Sequence, residues 1–426
     1  MNEWREYILE EIAKVIDCEH KTAPLVEDSS FYSVRTSNIS KGKIDYESCN
    51  RVSRDVYDEW TVRAVPKEGD IILAREAPIG EVGIIKKGYK VCLGQRTVLI
   101  SVSSSDVNNK FLLYYLVNPT QKNSLIEMSA GSVVSHLNMK DIRAFVIKIP
   151  PLLEQKAIAS VLSSLDDKID LLHRQNKTLE QMAEALFRQW FVESVRSGES
   201  KGGEAKEVWD WKQLGEFIEV VRGLSYKGVG LSDSENGIPM HNLNSVFEGG
   251  GYKYDGIKFY SGEYKKQHNV SPGDLIVTNT EQGHEMRLIG FPAIIPKYYG
   301  DTGIFSQHIY KLQLKENYLS IPFLYYLLMT FDMREQIAGS TNGSTVNMLP
   351  KDGIEWARFR IPPKSKIDYF TEIVQPMLDK QEMNFESIKT LENLRDTLLP
   401  KLMNGEVRME DVNITDFHRL NDTRDG

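Results

Sequence analysis

At 426 residues, 41% hydrophobic and 26% charged, the chain suits two or three globular domains with sizeable cores. Its formal net charge of −8 argues against a molecule coated in nucleic acid, yet leaves room for a basic face. The longest apolar runs, residues 111–117 and 323–329, fall far short of the ~20 residues a membrane span needs. The charged start, MNEWREYILEEI, lacks a signal-peptide pattern. Cys18, Cys49 and Cys92 have no paired spacing, which predicts a cytoplasmic protein with buried or free thiols and neither a disulfide frame nor a metal centre.

Residues 1–150 read as β-rich and irregular, with short β-branched runs such as VGIIKK and TVLISV between Gly, Pro, Ser and Asn. A helix is predicted over 110–117, stopped by Asn118-Pro119. A last strand follows over 145–149, ended by Pro150-Pro151. From 151 to 193 the texture changes. Apolar residues at 158, 162, 165, 169, 172, 179, 183, 186 and 190, with Asn176 in the one polar slot, alternate steps of four and three. That is a coiled-coil seam, on a helix of roughly 60 Å at ~1.5 Å per residue. A Ser/Gly/Glu/Lys linker covers 194–207.

The pattern then repeats: a second β-rich region over 208–361, a second long helix over 362–405 ended by Asn404-Gly405, and a tail over 406–426. Pro376 is expected to kink or interrupt this helix, and Gln381 and Asn384 fall on its seam, where polar residues fix register. An offset of 212 residues relates Phe111 to Phe323, Gly131 to Gly343 and Ile149 to Ile361. Upstream, Gly69-Asp70 matches Gly273-Asp274, and Leu9 matches Leu214. Between these anchors the copies share almost nothing. A period this long is a duplicated domain. Each long helix needs a partner for its stripe, so the two are expected to pair antiparallel within the chain. The fold class is α+β with an internal pseudo-twofold repeat.

Enzyme signals are missing from the sequence. There is no phosphate loop, no GxGxxG after a strand, no HExxH and no GxSxG. A nuclease-like set could be drawn from Asp255, Glu263 and Lys265, but DGIKFYSGEYK reads better as a Tyr-rich hairpin. Recognition is expected in polar and basic loops. In the first copy these hold Arg35, Thr36, Asn38, Lys41, Lys43, Arg75, Gln95, Arg96, Ser132 and His136. In the second they hold Arg222, His241, Asn242, Asn244, Asn279, Gln307, His308, Asn342, Ser344 and Asn347. Arg suits guanine, and Asn or Gln adenine, although turns favour the same residue types. Trp190 and Phe191 read as seam or docking residues, not as a nucleotide-stacking platform. The paired FLYYL-type segments read as core.

The duplicated GD…FLYYL…IPP frame, LEQMAEALFRQWFVE in the first long helix and LRDTLLPKLMNGEV at the end of the second resemble the specificity (S) subunit of a type I restriction–modification system. The resemblance spans essentially the whole chain. It implies two target recognition domains that read double-stranded DNA, and two conserved helices. It also implies two methyltransferase (M) subunits and two restriction (R) subunits as partners. S-adenosylmethionine would then belong to the M subunit and ATP to the R subunit, with no cofactor and no catalysis in this chain. Antiparallel helices would act as a ruler between two different half-sites. Two other readings stay open on sequence: a recognition subunit of a type IIB/IIG-like system, and a coiled-coil adaptor that binds no DNA.

Overall fold

The structure, a computed structural model, describes residues 4–128, 136–193, 209–282, 285–343 and 346–407. It resolves into two compact units, Met1–Asp170 with Lys389–Gly426, and Leu171–Ile388. The change of texture along the sequence sets boundaries where each long helix begins. Packing instead groups each globule with the half of each helix that it covers.

In the first unit a four-stranded antiparallel sheet runs in the order Ala13–Asp17, Thr97–Val102, Ile71–Ala74, Val82–Ile84. All four residues of Ile71–Ala74 are buried, so this strand shows no alternation in sequence. A parallel pair, Phe31–Val34 with Lys90–Leu93, lies beside it, and Arg5–Ile8 pairs with Val146–Ile149 to close the copy. The expected helix is Asn109–Val117; the Asn108 side chain caps it by accepting from the Phe111 N–H at 3.0 Å. Its buried Phe111, Leu112 and Tyr115 pack with Ile158 and Leu162 of the first long helix and Leu399 and Leu402 of the second. Arg395 pairs with Asp166 at 2.9 Å, and the Tyr114 hydroxyl donates to the same carboxylate at 2.7 Å.

The second unit repeats this plan. Its antiparallel sheet runs Ile218–Arg222, Ile309–Leu314, Leu275–Thr278, Pro292–Ile294. Ile238–His241 pairs in parallel with Gly303–Phe305, and Trp211–Gln213 pairs with Arg358–Arg360. Ser320 caps the helix Ile321–Met329. Phe323 packs within an aromatic cluster of Phe187, Phe191 and Phe370, with centroids 5.1–5.5 Å apart for four of the pairs.

The first long helix runs Leu152–Phe187 and continues as a π-helical turn, Arg188–Glu193. Phe187, the last α-helical residue, and Phe191, within the wider turn, are buried, while Leu186 and Trp190 are only half-buried. The second long helix runs unbroken through Pro376, from Lys364 to Met403. Packing over 40 residues outweighs one lost hydrogen bond. It ends at Gly405, whose φ of 70° lets Glu406 N donate back to Lys401 O at 2.9 Å.

The helices are antiparallel in both units. Asp166 faces Arg395 in the first. In the second, Asn176 faces Gln381 and Asn384, with Gln381 Nε2 donating to Asn176 O at 3.0 Å and Asn384 Nδ2 to Asn176 Oδ1 at 2.8 Å. The polar seam positions thus form one mutually satisfied layer. Among the described residues no helix is long and apolar enough to cross a membrane.

Candidate nucleic-acid interface

One hydrogen-bonded frame is built twice. Gly69 N donates to Ile85 O at 3.0 Å, and Gly273 N to Ile295 O at 2.8 Å; φ is 85° and 87°, the left-handed region that glycine enters without strain. The following aspartates close the same turn, accepting from Lys67 N at 3.0 Å and Ser271 N at 2.9 Å. Arg75 N donates to Arg96 O at 2.8 Å, and Asn279 N to His308 O at 3.1 Å. Leu137 N donates to Arg75 O at 3.0 Å, and Leu349 N to Asn279 O at 2.8 Å. Gly94 N reaches Val34 O, and Ser306 N reaches His241 O. The Gly-Asp turns lead into one end of the strands Ile71–Ala74 and Leu275–Thr278, and the other backbone bonds gather the same loops at the opposite end of each four-stranded sheet.

The side chains on this frame differ. In the first copy Arg96 is exposed, has φ of 68° and is held by Glu76 at 2.9 Å. Exposed Arg35 and Lys41 lie on neighbouring loops. Lys41 has φ of 48°, and its N–H donates to Glu81 at 2.8 Å. Non-glycine residues in this region are strained and concentrate at functional sites. Gln95 Nε2 reaches His20 O at 3.4 Å, and Thr36 Oγ1 donates to Ala77 O at 3.2 Å. His136 is half-buried. Ser132 lies outside the described residues.

In the second copy Arg222, Asn244, Gln307 and Asn342 are exposed. His308 is half-buried, with Nδ1 3.1 Å from Thr280 Oγ1. Burial, assisted by Lys258, lowers its pKa and favours the neutral ring. Ser344 lies outside the described residues. Asp17, opposite Val98, and Arg222, opposite Tyr310, occupy the same place in the two sheets with opposite charge.

Seven of the residues singled out from sequence hold the frame instead of facing outward. Arg75 donates to Leu137 O and Asp17, both at 2.8 Å, and its side chain is 13% exposed. Asn38 is buried and donates to Ser48 O at 3.0 Å. Lys43 turns to Asp170 on the first long helix at 2.5 Å. His241 is buried with Nδ1 2.7 Å from the Tyr252 hydroxyl, and burial pushes its pKa down to about 3. Asn242 donates to Gly256 O at 2.8 Å, and Asn279 to Gln307 O at 3.0 Å. Asn347 is buried opposite Glu281 in a strand ladder. Lys43 keeps partial contact with water; for the others burial limits access to water, and polar groups of the fold take its place.

Asp17, Cys18 and His20 each bring a ligand-type atom within 4.8 Å of the others. Arg75 and His20 already engage the two oxygens of Asp17, and burial raises the Cys18 thiol pKa, which disfavours the thiolate a metal requires.

Comparison with known proteins settles the family. A model of the type I restriction modification DNA specificity domain matches residues 1–181 and again 206–402. The chain belongs to the type I restriction–modification DNA specificity family. The specificity domain occurs twice in it, once per copy. The chain is 27% identical over 393 residues to the MjaIX specificity subunit of Methanocaldococcus jannaschii, covering 88% of this chain and 84% of that one. It is 21% identical over 417 residues to the Escherichia coli EcoKI specificity subunit, covering 90% and 83%. The crystal structure of the type I S subunit from M. genitalium shares the fold, with a TM-score of 0.57, 16% identity and coverage of 94% and 96%.

Sequence reasoning missed Glu76, Glu281 and Arg287. The two carboxylates carry no DNA-binding signature. The signal for the region lies in the alignment of the two copies. Gly80 N donates to Ala74 O and Gly290 N to Thr278 O, so matching hairpins span six positions in one specificity domain and twelve in the other.

Proposed function

We propose that this chain is the non-catalytic DNA-reading subunit of a type I restriction–modification complex. Each copy reads one half of a bipartite site, and the two halves differ in sequence. Two methyltransferase subunits supply the methyl-transfer chemistry with S-adenosylmethionine, and restriction subunits supply ATP-driven cleavage. The chain itself holds no cofactor.

One observation carries this reading: the bonds that gather the loops are the same in both copies, while the residues they present are not. Where Arg96 stands in the first copy, His308 stands in the second, each accepting the same backbone hydrogen bond. A preserved frame with exchanged side chains suits two readers of different base edges. With a net charge of −8, phosphate attraction is confined to local cations such as Arg35, Lys41 and Arg222, and the methyltransferase contributes to affinity.

The test is a fluorescence titration of the full chain with its methyltransferase against a duplex carrying the host's methylated motif, at rising salt. Log affinity should fall linearly with log salt. A scrambled duplex of equal length should bind roughly a thousandfold more weakly, or worse. Binding indifferent to both salt and sequence would contradict the proposal.

A further inference from the structure

The longer hairpin of the second copy is firmly held. Glu281, 7% exposed, pairs across from Asn347. Its carboxylate accepts three successive backbone N–H groups: Arg287 at 2.9 Å, Leu288 at 3.0 Å and Ile289 at 2.8 Å. Arg334 donates to Ile289 O at 2.7 Å and lies 3.6 Å over the Phe291 ring. Met286 has φ of 52° and packs against the core of the second unit. The next side chain, Arg287, is 62% exposed, with Nε 2.8 Å from Glu285 and Nη1 4.0 Å from Glu248. The first copy offers a parallel: Arg96 is also 62% exposed and also held by a neighbouring carboxylate, Glu76.

We propose that residues 285–289 form a specificity-determining element of the second copy, in which Glu281 is the positioning residue and Arg287 donates to the O6/N7 edge of a guanine. The assignment rests on the DNA-reading function proposed above. Two features favour a base edge over a phosphate. Carboxylates on two sides of Arg287 repel phosphate and offset its charge, yet leave guanidinium N–H groups for neutral acceptors. Bidentate reading also requires a fixed guanidinium plane, and the Glu281 cradle fixes the backbone that carries it. A glutamine at 281 would keep one acceptor oxygen and turn an NH₂ group toward N–H donors, loosening the limb without emptying the core.

The experiment is long-read methylation sequencing of the host that carries the complete complex. Arg287→Ala should remove the guanine requirement at one position of one half-site, raising methylation at sites with another base there roughly 10- to 100-fold. Glu281→Gln should relax that same position, leaving the other half-site unchanged, with a modest fall in thermal stability from the N–H donors left unpaired. Arg96→Ala should leave that position untouched. An unchanged motif in Arg287→Ala, or a uniform fall in methylation at all sites, would overturn the assignment. If Glu281→Gln fails to assemble, Arg287→Ala still decides, because its side chain is on the surface. If deleting the gene leaves the host's methylated motif intact, the DNA-reading function itself falls, and that result is distinct from failure of the arginine assignment.

Discussion

The first and second copies share a backbone but fasten themselves to the long helices by different chemistry. At positions related by the same 212-residue offset, Asp170 on the first helix and Glu382 on the second each receive a donor from the adjacent globule. Asp170 takes Lys43 at 2.5 Å and Lys86 at 3.1 Å. Glu382 takes the Lys297 backbone N–H, with Tyr254 stacked on Phe385 nearby. One fastening is ionic, the other largely aromatic. An acidic residue stands at this place in both copies, and what meets it differs, as the side chains on the loops do.

The largest expected effects lie in the shared core. Phe111→Ala and Phe323→Ala each remove a fully buried ring and should cost about 3–5 kcal/mol. Hydrogen exchange should show the loss of protection confined to the unit that carries the substitution. Loss in both units would break the picture of two separately packed copies. Next is Arg395→Met, which strands Asp166 with only the Tyr114 hydroxyl. It should cost the first unit about 3 kcal/mol, read by chemical denaturation.

A pH series sharpens the contrast between the copies. Burial opposes ionisation of Asp170, but Lys43 and Lys86 outweigh it and hold the carboxyl below its ordinary 3.8. A depressed folded-state value means the contact stabilises above 3.8 and is lost as pH falls through the folded value. Glu180 behaves oppositely. Burial lifts its carboxyl above the ordinary 4.5 despite hydrogen bonds from Gln381 and Tyr325. The folded second unit takes up its proton first, so its stability should rise as pH falls through the raised value toward 4.5. Denaturation of Asp170→Asn should lack the acid loss, and Glu180→Gln should lack the gain; the reverse pattern would contradict these assignments. The smallest effect is Lys43→Ala. Its pair is partly exposed at 36% and 29%, so the cost should stay below about 1 kcal/mol and fade in salt.

Much of this plan is legible in the amino-acid order. The GD turns, the FLYYL-type helices and the IPP exits are local: a left-handed glycine, a side-chain cap and a proline act within a few residues. The seam is legible because its period is long and regular, and that register puts Gln381 and Asn384 on it. Other features depend on distant partners. Pro376 reads as a break, yet the packed helix absorbs it. Phe187 and Phe191 reach the core through contacts with Phe323 and Phe370, far away in the chain. Asn38, Asn242 and Asn279 look like readers because asparagine suits both base edges and backbone carbonyls, and only burial distinguishes the two uses. Glu281 and Arg287 emerge once the two hairpins are compared for length.

If each copy governs one half of a DNA site, exchanging one copy must change one half alone. The most direct measurement is methylation sequencing of the host with the gene intact, deleted, and with residues 209–361 replaced by the matching region of another family member. A bipartite motif should vanish on deletion and change in one half alone on replacement. A motif that survives deletion, or one whose two halves change together, would contradict that division.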